Sequence, residues 1–248
     1  MKSKFDIIIL SLATDDLSFN TTKKCVDSYI TTANELVNKI YVVESNKSFD
    51  QNYNQPKVEV IIPQEEFCYN KFYNIALEKC KAEFVMGPNN DLIVHAGCLQ
   101  TLAEEFDTNP EIQSICPIDR NWGKHSKIYF PNDDKLYYGY DVSLHMYGGI
   151  FCCRRSVFNT IGFLDERFYF FYQDNDYACC LQRCNLLHGA HTKARVSHQC
   201  GGSNRIAPKK FQYLPKNMNT QGDIFANKWY NEEPFMSGGY KQFKSYPL

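Results

Sequence analysis

Apolar residues recur along the chain in two spacings, and the alternation between these spacings predicts an α/β protein. Short apolar runs predict buried strands at Phe5–Ala13, Lys39–Glu44, Lys57–Ile62 and Phe84–Gly87. Apolar stripes at intervals of three and four residues predict helices from about Asn20 to Leu36 and from about Tyr69 to Lys81. Strands that alternate with helices in this way indicate a parallel sheet with right-handed crossovers.

The second half of the chain continues the pattern less regularly. We expect further elements at Gly97–Phe106 (helix), Ile112–Pro117 (strand), Tyr147–Arg155 (strand), Ser156–Ile161 (helix), Asp174–Leu187 (helix) and Ala190–His198 (strand). Residues 119–145 are rich in charges, Asn, Pro and Tyr, which indicates an irregular insertion or a β-ribbon. The tail, residues 206–248, carries one predicted helix near Asp223–Tyr230.

Composition narrows the class of protein. A net charge of −1 over 248 residues gives no electrostatic footprint for nucleic acid or for an anionic membrane. No segment approaches the roughly 20 apolar residues that cross a bilayer, so we expect a soluble, cytoplasmic protein. The 11 cysteines include no CxxC pair, and we expect reduced thiols rather than disulfides or a zinc site.

Polar residues follow the predicted strand at Phe84–Gly87. In EFVMGPNND, the strand runs into Asn89, Asn90 and Asp91. The carboxyl end of a parallel strand is where open α/β sheets bind ligands, and oxygen-rich side chains there can hold a hard cation. An Asx-rich turn is the simpler alternative. The chain has no GxGxxG after the first strand and no GxxxxGK[ST], which disfavours the dinucleotide-binding and P-loop folds.

A second polar group lies at the start of the helix predicted from Asp174. Asp174 and Asp176 follow an aromatic-rich loop, and carboxylates are favoured at a helix N-terminus. Both could serve as caps. A carboxylate held at a rigid helix start also suits a general base that faces a cleft.

Several segments, in the correct order from residue 5 to about 203, resemble inverting glycosyltransferases of family 2, in particular the rhamnosyltransferase-like branch. VVESNKS, NIALEKCKAEFV and GPNND correspond to the family's nucleoside-binding turn, its Asn-initiated helix and its metal-binding motif. Further on, YGGIFCCRR, GFLDERF, QDND and HQCGGS correspond to its later motifs. The resemblance implies the GT-A fold, an α/β architecture with a central, mostly parallel sheet flanked by helices and a small second β element.

The resemblance also implies a division of the chain and roles for individual residues. Residues 1–205 would form one catalytic domain, with a nucleotide-sugar half in 1–92 and an acceptor half in 93–205. Asp174 takes the place of the catalytic base, and Asp91 and His198 take the place of the site for Mn²⁺ or Mg²⁺. The residues placed to bind the nucleotide-diphospho-sugar donor are Thr14, Glu44, Asn74, Asn89, Asn90 and Gly149. The residues placed to bind the glycan or glycoconjugate acceptor are Tyr147, Tyr172 and Asp176.

Three positions depart from the family pattern. Asn89 replaces a carboxylate that many relatives carry, Gln173 replaces the acid beside the base, and Cys180 stands where an Arg is common. The predicted activity is transfer of a sugar with inversion, by a single metal-assisted displacement. The alternative is a non-catalytic protein that keeps the fold and binds a nucleotide-sugar or a glycan. The aromatic residues near the base either bind the acceptor or pack the core. The sequence does not specify an oligomeric state.

Overall fold

A computed structural model describes residues 4–120, 133–142, 144–146, 148–199 and 214–231. The strands are β1 (Phe5–Ser11), β2 (Val37–Glu44), β3 (Val58–Ile61), β4 (Phe84–Pro88), β5 (Leu92–Val94), β6 (Ile112–Asp119), β7 (Leu136–Tyr138), β8 (Ile150–Arg154) and β9 (Leu187–His198). The helices are α1 (Asp16–Ala33), α2 (Tyr69–Leu77), α3 (Cys98–Thr108), α4 (Val157–Ile161), α5 (Gln173–Arg183) and α6 (Leu214–Ala226), and a π-helical turn (Asn227–Asn231) continues α6.

The strands form one sheet in the order β3-β2-β1-β4-β8-β6-β9-β5, with β7 paired to β9. The first four strands of this order are parallel, as the sequence predicts. Beyond β4 the sheet is mixed, because β8 runs antiparallel to both β4 and β6 whereas β9 runs parallel to β6. The α/β fold class is confirmed, but the described strands of the second half extend the same sheet instead of forming the small second β element that the resemblance implies.

Helices cover both faces of the sheet. Successive side chains of a strand point to opposite faces, so Ile7 and Ile9 pack in one core with residues of α1 and α3. Ile8 lies in a second core with residues of α2 and α5. The described cysteines are free thiols and most are buried, where they act as small apolar side chains.

The element boundaries differ from the sequence prediction at several points. Helix α1 begins at Asp16 rather than about Asn20, because Asp15 and Ser18 form a capping box around its first turn. Helix α2 ends at Leu77 rather than Lys81, and α5 ends at Arg183 rather than Leu187. The tail helix begins before Asp223, at Leu214.

Strand β5 was not predicted, and β7 lies in a segment for which a β-ribbon was one of two expectations. Both β5 and β7 have three residues, which is too short for a periodic signal, and each is held by pairing with the distant strand β9. Strand β7 lies within the predicted insertion 119–145, and β6 extends into it as far as Asp119. Strand β8 begins at Ile150 rather than Tyr147.

Asp6 joins the start of the sheet to the turn that enters β4. This residue is fully buried in β1, and its carboxylate accepts hydrogen bonds from the backbone N–H groups of Lys81 (2.6 Å) and Ala82 (2.8 Å). The side-chain amide of Asn38 donates to the other oxygen at 2.7 Å. The position of β4, and of the polar residues after it, therefore depends on a buried carboxylate.

We expect Asp6→Ala to lower the free energy of unfolding by about 2–4 kcal/mol, because it leaves buried N–H groups without an acceptor. The matched control is Asp107→Ala, which removes an ion pair with Lys4 at the protein surface and should cost no more than about 1 kcal/mol. Chemical denaturation of both variants measures the difference. Equal losses would contradict the role given to Asp6.

Candidate active site

The carboxyl ends of β1, β2 and β4 lie at one edge of the sheet. Ser11 is aligned with Glu44 across β1 and β2, and Leu10 forms an isolated bridge with Asn89 just beyond β4. Thr14 is exposed in the loop that leaves β1. The structure thus brings together at this edge the predicted donor residues that follow these three strands.

Glu44 is a fully buried carboxylate with one oxygen still available. Its Oε1 atom accepts hydrogen bonds from the backbone N–H groups of Ala13 (3.0 Å) and Asn46 (2.7 Å). The Asn46 side chain donates back to the Ala13 carbonyl at 2.7 Å, which closes the loop around the carboxylate. Within the described ranges, Oε2 is buried and has no hydrogen-bond partner. A buried acceptor without a partner costs free energy that a ligand donor would recover.

Asp91 and His198 meet at the same edge. Asp91 directly precedes β5, and the antiparallel pairing of β5 with β9 aligns Leu92 with His198. Asp91 Oδ1 lies 2.8 Å from His198 Nε2, and both side chains are largely buried. The backbone N–H of His198 donates to Asp119 Oδ2 at 3.0 Å, so a second carboxylate fixes this end of β9.

This pair offers one carboxylate oxygen and one imidazole nitrogen, which are ordinary ligands for Mn²⁺ and acceptable ones for Mg²⁺. No set of three or more His, Cys, Asp or Glu residues is arranged around a metal position in the part of the chain that the structure describes. A cation at this pair would therefore take most of its ligands from a bound substrate and water, and its binding would replace the hydrogen bond between Asp91 and His198. Asn90 points elsewhere, because its amide donates to Thr22 Oγ1 at 3.0 Å.

Asp174 lies at the start of α5, against the turn that enters β8. A side-chain carbon added at Gly148 would lie 2.4 Å from Asp174 Oδ2, so the carboxylate occupies the space that a side chain at this position would fill. Burial raises the pKa of the Asp174 carboxyl, against the opposing effect of hydrogen bonds from the backbone N–H groups of Asn175 and of Asp174 itself. The nearby Tyr69 phenol also has a raised pKa, chiefly through burial and further through the charge of Asp174.

One backbone contact links the two carboxylate positions. The N–H of Asn89 donates to the carbonyl of Gly149 at 2.6 Å, in line with the antiparallel pairing of Pro88 with Ile150. Asp91 follows Asn89 on one chain segment, and Gly148, which contacts Asp174, precedes Gly149 on the other. The Asp91–His198 pair and Asp174 thus both lie near the junction of β4 and β8.

A pocket opens beside Asp174. It is lined by apolar and aromatic side chains and by a few polar groups, among them Asn70, Gln173 and Asp174. The Oε1 atom of Gln173 and the Oδ1 atom of Asn70 are buried and have no hydrogen-bond partner among the described residues. Gln173, which replaces an acid of the family pattern, thus places a hydrogen-bond acceptor beside Asp174, the candidate base.

Three predicted site residues serve contacts within the protein instead. The Asn74 amide bonds the backbone N–H and carbonyl of Leu164 and the Glu166 carboxylate, so its position gives no support to donor binding. The Asp176 carboxylate is buried and accepts from Lys228 and Trp229. Tyr172 stacks on Phe225 at 5.4 Å between ring centroids. These contacts use the groups that the acceptor role of Asp176 and Tyr172 would need.

Four further residues differ in how much information the sequence carries about them. The predicted acceptor residue Tyr147 lies outside the described residues. Asp119 was not predicted as a site residue, although a carboxylate at the end of a predicted parallel strand is a usable signal. Lys228 and Trp229 gave no sequence signal, because nothing local in the sequence indicates that the tail reaches α5.

No protein-family model matches the chain, and no curated protein matches its sequence. Solved structures do match. The structure of GalNAc-T7 with UDP, GalNAc and Mn²⁺ has 13% identity and a TM-score of 0.61, over 79% of this chain and 44% of that one. S. aureus TarS 1–349 in complex with UDP-GlcNAc has 14% identity and a TM-score of 0.55, over 76% and 55%. TarS 1–349 alone has 13% identity and a TM-score of 0.59, over 97% and 77%.

This chain spans about half the length of the first two of these structures. At such low identity the likeness concerns the fold, and it confirms the GT-A fold that the sequence predicts. No helix in the described ranges is both long and apolar enough to cross a membrane.

The raised pKa of Asp174 makes its contribution to stability depend on pH. Because the folded state binds this proton more tightly than the unfolded state, stability falls as pH rises from the unfolded value near 3.8 through the raised folded value. Asp174→Asn is neutral throughout, so the variant should gain stability relative to wild type as pH rises above about 3.8.

The control is Asp15→Asn, for which the expected change in stability with pH has the opposite sign. A hydrogen bond from the Ser18 N–H lowers the pKa of Asp15, so its charged form stabilises the fold above pH 3.8. This variant should lose stability relative to wild type as pH rises. Denaturation at several pH values tests both signs, and a flat difference for Asp174→Asn would contradict burial of a charged carboxylate there.

Proposed function

We propose that the protein is an inverting glycosyltransferase that moves a sugar from a nucleotide-diphospho-sugar to a hydroxyl of a glycan or glycoconjugate. The observation that carries this proposal is that the Asn89–Gly149 contact joins the chain segment of the Asp91–His198 pair to the turn that Asp174 contacts. Such an edge of a GT-A sheet offers a site for a charged leaving group next to a site for a base.

The donor would lie along the ends of β1, β2 and β4. Glu44 presents one buried acceptor oxygen there, which suits a nucleoside N–H or O–H group. The proteins of similar fold were crystallised with UDP or UDP-GlcNAc, which supports a nucleotide-diphospho-sugar as the donor class. The resemblance to the rhamnosyltransferase-like branch leads us to propose a hexose or a deoxyhexose as the transferred sugar.

Asp91 and His198 would hold a divalent cation, Mn²⁺ or Mg²⁺. GalNAc-T7 was crystallised with Mn²⁺, which supports such a cation here. When bound, the cation supplies charge neutralisation for the departing diphosphate. The hydrogen bond from the His198 N–H to Asp119 keeps β9 in register, and this holds the imidazole beside Asp91 before any ligand arrives.

Asp174 would act as the general base. The acceptor oxygen forms a bond to the anomeric carbon as the bond from that carbon to the diphosphate oxygen breaks, and the hydroxyl proton passes to Asp174. One displacement inverts the anomeric centre. A carboxyl whose pKa is raised by burial takes a proton more readily than an exposed one, which favours this role.

The test of function is release of free nucleotide from candidate nucleotide-sugars in the presence of Mn²⁺ or Mg²⁺ and an acceptor. We expect Asp174→Asn to bind donor normally and to lose at least about 100-fold in kcat, since general-base catalysis contributes 10²–10⁴-fold. Asp91→Ala should lose cation-dependent donor binding as well as turnover.

Asp107→Ala is the control for both variants, because it removes an exposed carboxylate of α3 and should leave turnover unchanged. Full activity in either site variant would contradict the proposal. Nucleotide-dependent thermal stabilisation with no turnover of any donor would favour the non-catalytic binding protein instead.

Glu44 gives a separate prediction about donor affinity. Glu44→Ala removes the buried acceptor, and we expect the dissociation constant for donor nucleotide to rise about 10-fold, which corresponds to about 1.4 kcal/mol. The control is Glu59→Ala, which removes an exposed ion-pair partner of Lys79 on β3. Calorimetric titration measures both, and unchanged affinity in Glu44→Ala would exclude a contact with the nucleoside.

A further inference from the structure

We propose that the C-terminal helix α6 and its π-helical turn anchor the start of α5, and that Lys228 is a positioning residue for Asp174. This inference rests on the proposed function of Asp174 as the base. The part of the chain that carries it lies beyond the predicted catalytic domain, residues 1–205.

Lys228 lies at the centre of a buried ionic network. Its Nζ atom is 2.8 Å from Asp165 Oδ2 and 2.8 Å from Asp176 Oδ1, and only 4% of the residue is exposed. Trp229 adds a hydrogen bond from Nε1 to Asp176 Oδ1 at 2.7 Å. One cation therefore joins the loop before α5 to the first turn of α5. Removal of one partner from a buried ion pair leaves an uncompensated charge, which is strongly unfavourable.

Asp176 and Asp174 lie in the same turn of α5 but contact different parts of the protein. Residues two apart on a helix point in nearly opposite directions. Asp176 faces the tail and is fixed by Lys228 and Trp229, whereas Asp174 faces Gly148 at the candidate site. The tail can therefore set the position of the base without contact with its carboxylate.

The tail also holds the loop that leads into α5. Gln221 Oε1 accepts hydrogen bonds from the backbone N–H groups of Phe170 and Phe171, each at 2.9 Å. Tyr172, the residue before α5, has a left-handed backbone conformation with φ 62°, which is unfavourable for a residue with a large side chain. Its ring stacks on Phe225, and its hydroxyl approaches Gly222 so closely that a side-chain carbon there would lie 3.0 Å away.

The same loop is held from the opposite side by α2. Asn74 bonds Leu164 in both directions, and the backbone N–H of Tyr69 donates to the carbonyl of Tyr169 at 2.7 Å. Residues 164–172 thus lie between α2, which belongs to the nucleotide half, and α6. Because α2 already fixes one side, loss of the tail contacts should loosen the loop and the start of α5 without unfolding the sheet.

Lys228 is suited to a permanent anchor. Burial alone would lower the pKa of its ammonium group, but the carboxylates of Asp176 and Asp165 outweigh this effect and raise the pKa. The Lys228 side chain therefore stays charged at neutral pH.

The test compares Lys228→Met with Lys228→Arg and with the control Lys79→Met, which removes an exposed ion pair with Glu59. Hydrogen exchange of backbone amides reports the anchoring without any need for activity. We expect exchange in residues 165–177 to speed up in Lys228→Met, to recover at least in part in Lys228→Arg, and to be unchanged in Lys79→Met. Trp229→Phe, which removes the N–H donor to Asp176 and part of the buried indole ring but leaves Lys228 in place, is a second variant in case Lys228→Met does not fold.

The positioning role has its own readout. We expect kcat to fall about 10- to 100-fold in Lys228→Met while donor affinity stays within about 2-fold, because a displacement of about 1 Å at the base costs up to 10² in rate. Unchanged exchange in both Lys228→Met and Trp229→Phe would overturn the anchoring. Faster exchange with unchanged kcat would overturn the positioning role. If wild-type protein turns over no donor, the proposed function fails and positioning of a base fails with it, whereas the exchange data still decide whether the tail anchors α5.

Discussion

The arrangement of the site depends on the antiparallel pairing of β4 with β8. Up to β4 the sheet is parallel, and its strand ends present loops at one edge. Strand β8 enters from the opposite direction, so its first residues lie beside the last residues of β4. Without this reversal, the turn that contacts Asp174 would lie at the far edge of the sheet. The change of strand direction therefore brings candidate site residues from the two halves of the chain close together.

Several buried polar groups fix the positions of the strand ends at the site. Asp6 fixes the entry to β4, Glu44 closes the loop after β1, and Asp119 holds the end of β9. Each is a carboxylate that accepts backbone N–H groups, and such bonds are directional and costly to break in a dry interior. Apolar packing defines the layers, whereas these bonds define where the strands end and so where the site lies.

Sequence patterns predicted the parallel half well because each strand and helix there carries its own periodic signal. They could place Asp91 and Asp174 at element ends for the same reason. The contact of Asp91 with His198 depends on the register of the three-residue strand β5, which has no signal of its own. The inward orientation of Asp176 depends on Lys228, a distant residue that only the tertiary fold brings near. The position of Asp176 within a motif could therefore not show whether its carboxylate contacts a ligand or holds the helix in place.

The order of the strands has a consequence for synthesis on the ribosome. The N-terminal half, through β4, can begin to fold as soon as it emerges, because its strands pair with one another. Asp91 can pair with His198 only after β9 has been synthesised. Asp176 of α5 can bond to Trp229 only after Trp229 has left the exit tunnel. During translation the two halves of the candidate site are thus completed in sequence, and the helix start that carries Asp174 is the last part to be fixed.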